Sequence, residues 1–245
     1  MKLKVSNLLK KLSIPSSNKR PTQISVAARN SPLSKAQVKE AEQALQQYYP
    51  YITFSSTWLK TKGDLNQKIS LRNLDKTDFF TREIDAYQLS KKCQISIHSA
   101  KDLPPPLPQG LTIAALTRCI DPSDSLVLRQ KETLKGLKPH SLIATSSLRR
   151  ELIVKELRHD LDCVDIRGNI QQRLDKLNNH EIDGLIVAEA ALIRLKLTHL
   201  NRISLPNNTA PLQGQLAILA LESDDELMKI FSCIDVRKKD PLLRA

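Results

Sequence analysis

Short apolar runs alternate along this chain with stretches in which apolar positions recur every three or four residues, the pattern of strands and helices built around a mostly parallel sheet. Ile24 to Ala28 predicts a strand. Ser31-Pro32 then supplies an N-cap and a first-turn proline for a helix in which Leu33, Val38, Ala41 and Leu45 share a face. Tyr51 to Ser56 alternates as a second strand, Gly63-Asp64 marks a loop, and residues 80–92 predict a helix. Gln94 to Ser99 alternates cleanly until Pro104-Pro105-Pro106 breaks the run, and Leu111 to Leu116 resumes as a strand. Past Asp121-Pro122 the series repeats, with strands at Leu142 to Ala144, Cys163 to Ile166 and Gly184 to Ala188, and helices at Ser146 to Arg158, Ile170 to Leu177 and Glu189 to Leu195. Leu216 to Leu221 reads as one more buried strand, followed by a short helix at Asp224 to Phe231.

That last strand comes too late to form a domain alone, so it is expected to cross back and complete the first sheet. The fold expected is α/β: two lobes of mixed, mostly parallel sheet with flanking helices, joined by two crossing strands and similar to periplasmic binding proteins. The cleft would lie between the carboxyl ends of both sheets. Lobe 1 is expected over residues 22–118 plus 216–236 and lobe 2 over 119–215, with a basic extension at 1–21 and a tail at 237–245.

Composition narrows the chemistry. The 245 residues include six glycines, from which no Gly-rich phosphate loop can be written. The longest apolar stretches fall far short of the roughly 20 residues that cross a bilayer, so no membrane span is expected. The net charge is +12 and would suggest a polyanion, but nine of the twelve excess charges lie in residues 1–39, which contain no acid. Aromatics make up 4%, too few for base-stacking platforms, so nucleic acid is not the expected partner. Cys93, Cys119, Cys163 and Cys233 form no C-x-x-C pair, and the five histidines lack ligand spacing, so no metal is expected. A reducing cytoplasm fits these thiols.

The candidate chemistry sits at strand-to-helix turns. Thr145-Ser146-Ser147-Leu148-Arg149-Arg150 places hydroxyls and free N–H groups beside two guanidinium groups, the makings of an anion site. A single such turn is usually a solvated helix cap. Here, however, the next turn is Arg167-Gly168-Asn169 with Arg173 one turn on, and Arg194 follows the next strand. Three such turns on one side of one lobe favour a ligand bearing several carboxylates or phosphates. The other lobe offers His98-Ser99-Ala100-Lys101-Asp102 before the prolines, where an acid can donate a proton or hold a cation and Lys101 can bind a carboxylate. Taken alone, Lys-Asp before prolines is more often an ordinary turn.

His98 to Pro104, Ala144 to Arg150 and Arg167 to Leu174 together resemble the porphobilinogen deaminase family, also called hydroxymethylbilane synthases. So do Ala28-Arg29-Asn30-Ser31-Pro32-Leu33 and Gln213-Gly214-Gln215, in the same order along the chain. The resemblance spans about residues 24 to 232. It implies a transferase that condenses four porphobilinogen units head to tail, releasing ammonia each time, to a linear tetrapyrrole for heme biosynthesis. It also implies a dipyrromethane cofactor as primer. Asp102 would be the catalytic carboxylate. Arg29, Arg149, Arg150, Arg167, Arg173 and Arg194 would bind pyrrole carboxylates, and Ser31, Ser99, Lys101, Thr145, Ser146, Ser147 and Gly168 would position the chains.

Two departures stand out. The family's third domain, whose cysteine carries the primer in a Gly-Gly-Cys type loop, has no counterpart before Ala245. Cys233 is the candidate attachment point by elimination, although Phe231-Ser232-Cys233-Ile234 does not resemble that loop and a buried inert thiol is the blander reading. The loop Lys76-Thr77-Asp78-Phe79-Phe80 lacks the family's glycines, and Asn73 stands where lysine is common. A working short deaminase acting as a monomer on porphobilinogen is therefore set against a pyrrole-binding protein that no longer polymerises. Retention of Asp102 beside the arginines favours the enzyme, because a binder has little need for the acid.

Overall fold

A computed structural model describes residues 23–66, 70, 72, 78–206 and 209–238. The basic extension at 1–21, Asn73, Lys76 and Thr77 of the loop, and tail residues 239–245 lie outside the described residues.

Two five-stranded sheets share one plan. The first contains β1 (Gln23–Arg29), β2 (Thr53–Leu59), β3 (Ile95–Ser99), β4 (Leu111–Leu116) and β10 (Leu216–Leu221) in the order β2-β1-β3-β10-β4. The second contains β5 (Asp124–Leu128), β6 (Leu142–Ala144), β7 (Asp162–Val164), β8 (Gly184–Ala188) and β9 (Arg202–Ser204) in the order β7-β6-β8-β5-β9. In each sheet the fourth strand in spatial order, β10 or β5, is antiparallel to both of its neighbours. Parallel pairs occupy the other side, β1 with β2 and β3, and β6 with β7 and β8. The fold is thus the two-lobed α/β arrangement expected. The return strand β10 lies between β3 and β4, with Leu216 opposite Ser99 and Ala217 opposite Leu116. The chain passes between the sheets after β4, through residues 117–123, and again between β9 and β10.

Local chemistry sets the helix starts that face the cleft. In α1 (Pro32–Gln46), the Ser31 hydroxyl accepts the Ser34 N–H at 3.1 Å, and Pro32 occupies the first turn. Asn169 opens α5 (Ile170–Asn178) in the same way, accepting from Gln172 N at 3.0 Å while the Gln172 side chain accepts the Asn169 N–H at 2.9 Å. The remaining helices are α2 (Lys62–Leu65), α3 (Arg82–Leu89), α4 (Leu148–Leu157), α6 (Glu189–Arg194) and α7 (Asp225–Phe231).

Three expectations are corrected. Gly63-Asp64 is a helical turn, closed by Thr61 N–H donating to the Asp64 carboxylate at 3.0 Å. The second strand runs from Thr53 to Leu59, later than the alternation suggested. Strands β5 and β9 were not legible: β5 opens on two polar residues and β9 is only three residues long.

The first sheet's core packs Ile24, Val26, Ile97, Ala115 and Ile218 against Val38, Ala41 and Leu45 of α1 and Leu227 and Phe231 of α7. Each Val, Leu, Ile or Phe side chain in this set contributes about 1.5–3 kcal/mol on burial. Beneath the end of β3 lies a polar exception. Asp85 of α3 is 3% exposed, its oxygens accept no hydrogen bond of ordinary geometry, and Oδ1 lies 3.7 Å from His98 Nε2. Burial pushes the Asp85 carboxyl up to about 6, and burial pushes His98 down to about 4. An acid whose pKa is raised on folding contributes stability at low pH, and loses it as pH rises through about 6. Asp85→Asn should therefore raise stability at pH 8 by up to about 3 kcal/mol, seen as a higher melting temperature, and change little near pH 4. Thermal melts at the two pH values check this sign.

Candidate active site

Strand ends deliver the site. After β3 the chain makes a single 3-10 turn, Ala100–Asp102, with Ala100 N–H donating to Gln215 O at 3.0 Å. The Ser99 hydroxyl at its start accepts from Gln37 Nε2 of α1 at 2.8 Å. The turn is therefore anchored from below and beside, while the Asp102 side chain is exposed and makes no hydrogen bond or ion pair among the described residues. Lys101 donates to Gln213 Oε1 at 3.0 Å. Burial, followed by the Arg150 guanidinium, pushes the Lys101 ammonium down to about 8 against the upward pull of Asp102 and Asp124.

The facing lobe supplies the turn after β6. Thr145 is buried and its hydroxyl accepts from Ser147 N at 3.2 Å. Ser146 donates to Ile166 O at 2.6 Å and to the Asp165 carboxylate, which fastens this turn to the one after β7. The Ser147 hydroxyl makes no hydrogen bond among the described residues. Arg149 and Arg150 each donate to Asp124 at 2.6 Å, one to each carboxylate oxygen. Burial raises the Asp124 pKa, but Arg150 and Arg149 outweigh it and the net shift is downward. Asp124 was not among the expected site residues. Its signal would have been an acid opening an apolar strand, where only a paired carboxylate is tolerated.

Arg173 lies where these groups converge. Its Nε donates to Gly168 O at 2.8 Å, and no other hydrogen bond is formed among the described residues. Burial, then the charges of Arg150, Arg167 and Arg29, push its guanidinium down to about 10. Gly168, at φ +105, makes the turn that admits this arrangement, and a Cβ there would meet Gln172 Oε1 at 2.9 Å. Arg167 reaches across to lobe 1, donating to Gly63 O at 2.7 Å, with its guanidinium 5.7 Å from the Phe79 ring and 5.8 Å from the Phe80 ring. Arg29 stacks 4.4 Å over Phe80 and pairs with Asp64 at 2.5 Å. Buried nitrogens on Arg29 (Nε), Arg150 (Nε) and Arg167 (Nε and Nη1) have no hydrogen-bond partner among the described residues.

The structure thus brings Arg29, Arg150, Arg167 and Arg173 together across the cleft, with Lys101 and Arg149 adjoining Arg150. Three expected residues have partners within the protein. Ser31 caps α1. Arg194 is a bridge between lobes, its side chain 5% exposed and its guanidinium on Glu40 of α1 at 2.7 Å and on Gly214 O at 2.9 Å. Cys233 donates to Ile230 O at 3.2 Å and packs against the first sheet's core, the environment of a structural thiol. The phenylalanine pair was legible only as part of an altered loop; nothing in the sequence announces that two arginines rest on it. Among the described residues no group of three or more metal-ligating side chains occurs, and no helix is long and apolar enough to cross a membrane.

Two sheets presenting carboxyl ends, an exposed acid and converging arginines define a two-lobed protein for a ligand with several anionic groups. Residues 24–229 match the family model described as "Porphobilinogen deaminase, dipyromethane cofactor binding domain", and the chain belongs to that family. It is 39% identical to a probable porphobilinogen deaminase of Chlamydia pneumoniae, with 88% of this chain and 91% of the relative aligned. It is 39% identical to a porphobilinogen deaminase of Caldicellulosiruptor saccharolyticus, with 79% and 67% aligned. Among solved structures, a periplasmic substrate-binding protein of an ABC transporter from Coxiella burnetii shares the fold, with a TM-score of 0.52 over 90% of this chain and 94% of that one, at 12% identity.

Proposed function

We propose that this chain is a hydroxymethylbilane synthase, condensing four porphobilinogen molecules head to tail with loss of ammonia at each joining. The observation that carries this reading is Arg173: a guanidinium surrounded by three others and left with donors to offer, while Asp102 stands exposed on the turn that brings Lys101 beside Arg150 and Asp124. Four like charges in one cleft repel one another unless a polyanion joins them, and each pyrrole brings an acetate and a propionate.

In the reaction, Arg29, Arg150, Arg167 and Arg173 hold the side-chain carboxylates and Lys101 adds a fifth cation beside the acid. Ser147 has a free hydroxyl for a further carboxylate oxygen. Asp102 receives the pyrrole N–H, favours departure of the protonated amine, and balances the positive charge left on the substrate ring. The unpartnered guanidinium nitrogens fit the carboxylates of a dipyrromethane equally well, so the same arginines would hold that cofactor. When bound, the cofactor supplies a free pyrrole carbon as the nucleophile that starts the chain. The lobes span 22–118 plus 216–236 and 119–215, with the two crossing segments side by side, Gln213 Nε2 donating to Pro122 O at 2.7 Å. The partner is a small molecule, the working unit is a monomer, and neither nucleic acid nor membrane takes part. The four cysteines form no disulfide among the described residues, which suits a reducing cytoplasm.

Native mass spectrometry of the protein with porphobilinogen tests the proposal. Stepwise gains of one pyrrole unit less ammonia are expected. Gains of whole, unreacted porphobilinogen would replace the enzyme with a binding protein. Denaturing the same samples tests Cys233: an increment kept on its peptide supports covalent attachment there, whereas a ladder lost on denaturation leaves the primer non-covalent.

A further inference from the structure

Gln213 sits between β9 and β10, 2% exposed, where the two crossing segments meet. Its side chain touches both halves of the site. Oε1 accepts from Lys101 Nζ at 3.0 Å. Nε2 donates toward Pro122 O at 2.7 Å, Ser123 O at 3.2 Å and Asp124 Oδ1 at 2.9 Å. Lys101 belongs to the turn that carries Asp102, and Asp124 is the carboxylate that holds Arg149 and Arg150. The next residue, Gly214, keeps the segments in contact: at φ +88, a Cβ would fall 2.4 Å from Asp121 O.

The two ends of this side chain face opposite chemistry. Three acceptors meet one end and a cationic donor meets the other, a demand that an amide meets and neither a carboxylate nor an apolar group can. Glutamate would set oxygen against oxygen beside Asp124; methionine would leave Lys101 and Asp124 without their shared partner. We propose that Gln213 is a positioning residue that ties the Lys101 ammonium to the Asp124 carboxylate, so that the cations of the two lobes face the ligand in one fixed arrangement. This rests on the reading of Lys101 and Asp102 as the pyrrole-handling turn.

The charged groups around Lys101 are Asp102, Asp124, Arg149 and Arg150, and its ammonium is pushed down to about 8 by burial and the arginines. Gln213 Oε1 is the hydrogen-bond acceptor on that ammonium at 3.0 Å, so removing or charging it should show in the Lys101 titration. Protein labelled with [13C]lysine, with the Lys101 resonance assigned by its loss in Lys101→Arg, gives that titration without turnover. Gln213→Met removes the acceptor and should move the Lys101 midpoint down. Gln213→Glu adds a negative oxygen and should move it up, and each sign stands alone if the other variant fails to fold. In the active enzyme both should raise KM for porphobilinogen on the order of tenfold, with kcat changed less. A generic packing defect would give no opposite signs. Shifts that are absent or share one sign would overturn the coupling, whatever the activity. Opposite shifts in a chain that leaves porphobilinogen unconsumed would uphold the coupling and remove the deaminase reading.

Discussion

Asp102→Asn is expected to fold as the parent does and to release ammonia from porphobilinogen about 10²–10⁴-fold more slowly, the usual cost of losing acid–base work by a positioned carboxyl. The folding half of this expectation comes from the surroundings. The Asp102 side chain is exposed and makes no hydrogen bond or ion pair among the described residues, so the substitution breaks none of the bonds that hold the turn. The anchors are elsewhere, in the Ser99–Gln37 hydrogen bond and the Ala100–Gln215 backbone bond. The chemical half follows because an amide occupies the same volume, yet cannot neutralise the cation left when the amine departs. Steady-state ammonia release, with KM near the parent value, is the measurement. Parent-like rates would remove Asp102 from the mechanism.

Arg173→Leu is expected to weaken binding of porphobilinogen and its oligomers roughly 10- to 100-fold, the equivalent of one charge-assisted hydrogen bond at about 1.5–3 kcal/mol. Stability should not fall. Arg173 has one backbone partner, Gly168 O, and its charge is held unfavourably by burial and by Arg150, Arg167 and Arg29. Removing it relieves that repulsion. Weaker ligand binding with an unchanged or higher melting temperature is the mark of a group kept for its ligand rather than for the fold. Isothermal titration beside thermal melts reads both. The same substitution at Arg150 would be less clean, because Asp124 would lose one of its two guanidinium partners inside the protein.

Much of this was legible before any coordinates. The alternation of periods two and 3.6 marks the strands and helices that carry the site, and strand-to-helix turns rich in Arg and Ser can be read because backbone direction alone aims them at the carboxyl edge. What escaped depends on partners far apart in sequence. Asp124 looks like a surface acid and is 1% exposed, because two arginines from α4 close on it. That Arg194 also pairs with Glu40 across the lobe junction has no sign in the sequence. Leu148 and Leu152 sit one turn apart in α4 and are both exposed, while Ile153 and Val154 are buried, so the helix carries apolar residues on two faces and its pattern hardly names the inner one. The stacking of Arg29 on Phe80 needs the Phe80 ring to lie against Gly63, where a Cβ would come 2.2 Å from Phe80 Cε1.

The central claim is that this cleft joins porphobilinogen units rather than only holding them. Incubating the purified protein with porphobilinogen and following both ammonia and linear tetrapyrrole decides it. The account predicts one ammonia for each pyrrole consumed, a tetrapyrrole as the released product, and loss of both signals in Asp102→Asn. Porphobilinogen recovered intact from protein that binds it, with no ammonia above the uncatalysed rate, would contradict the account.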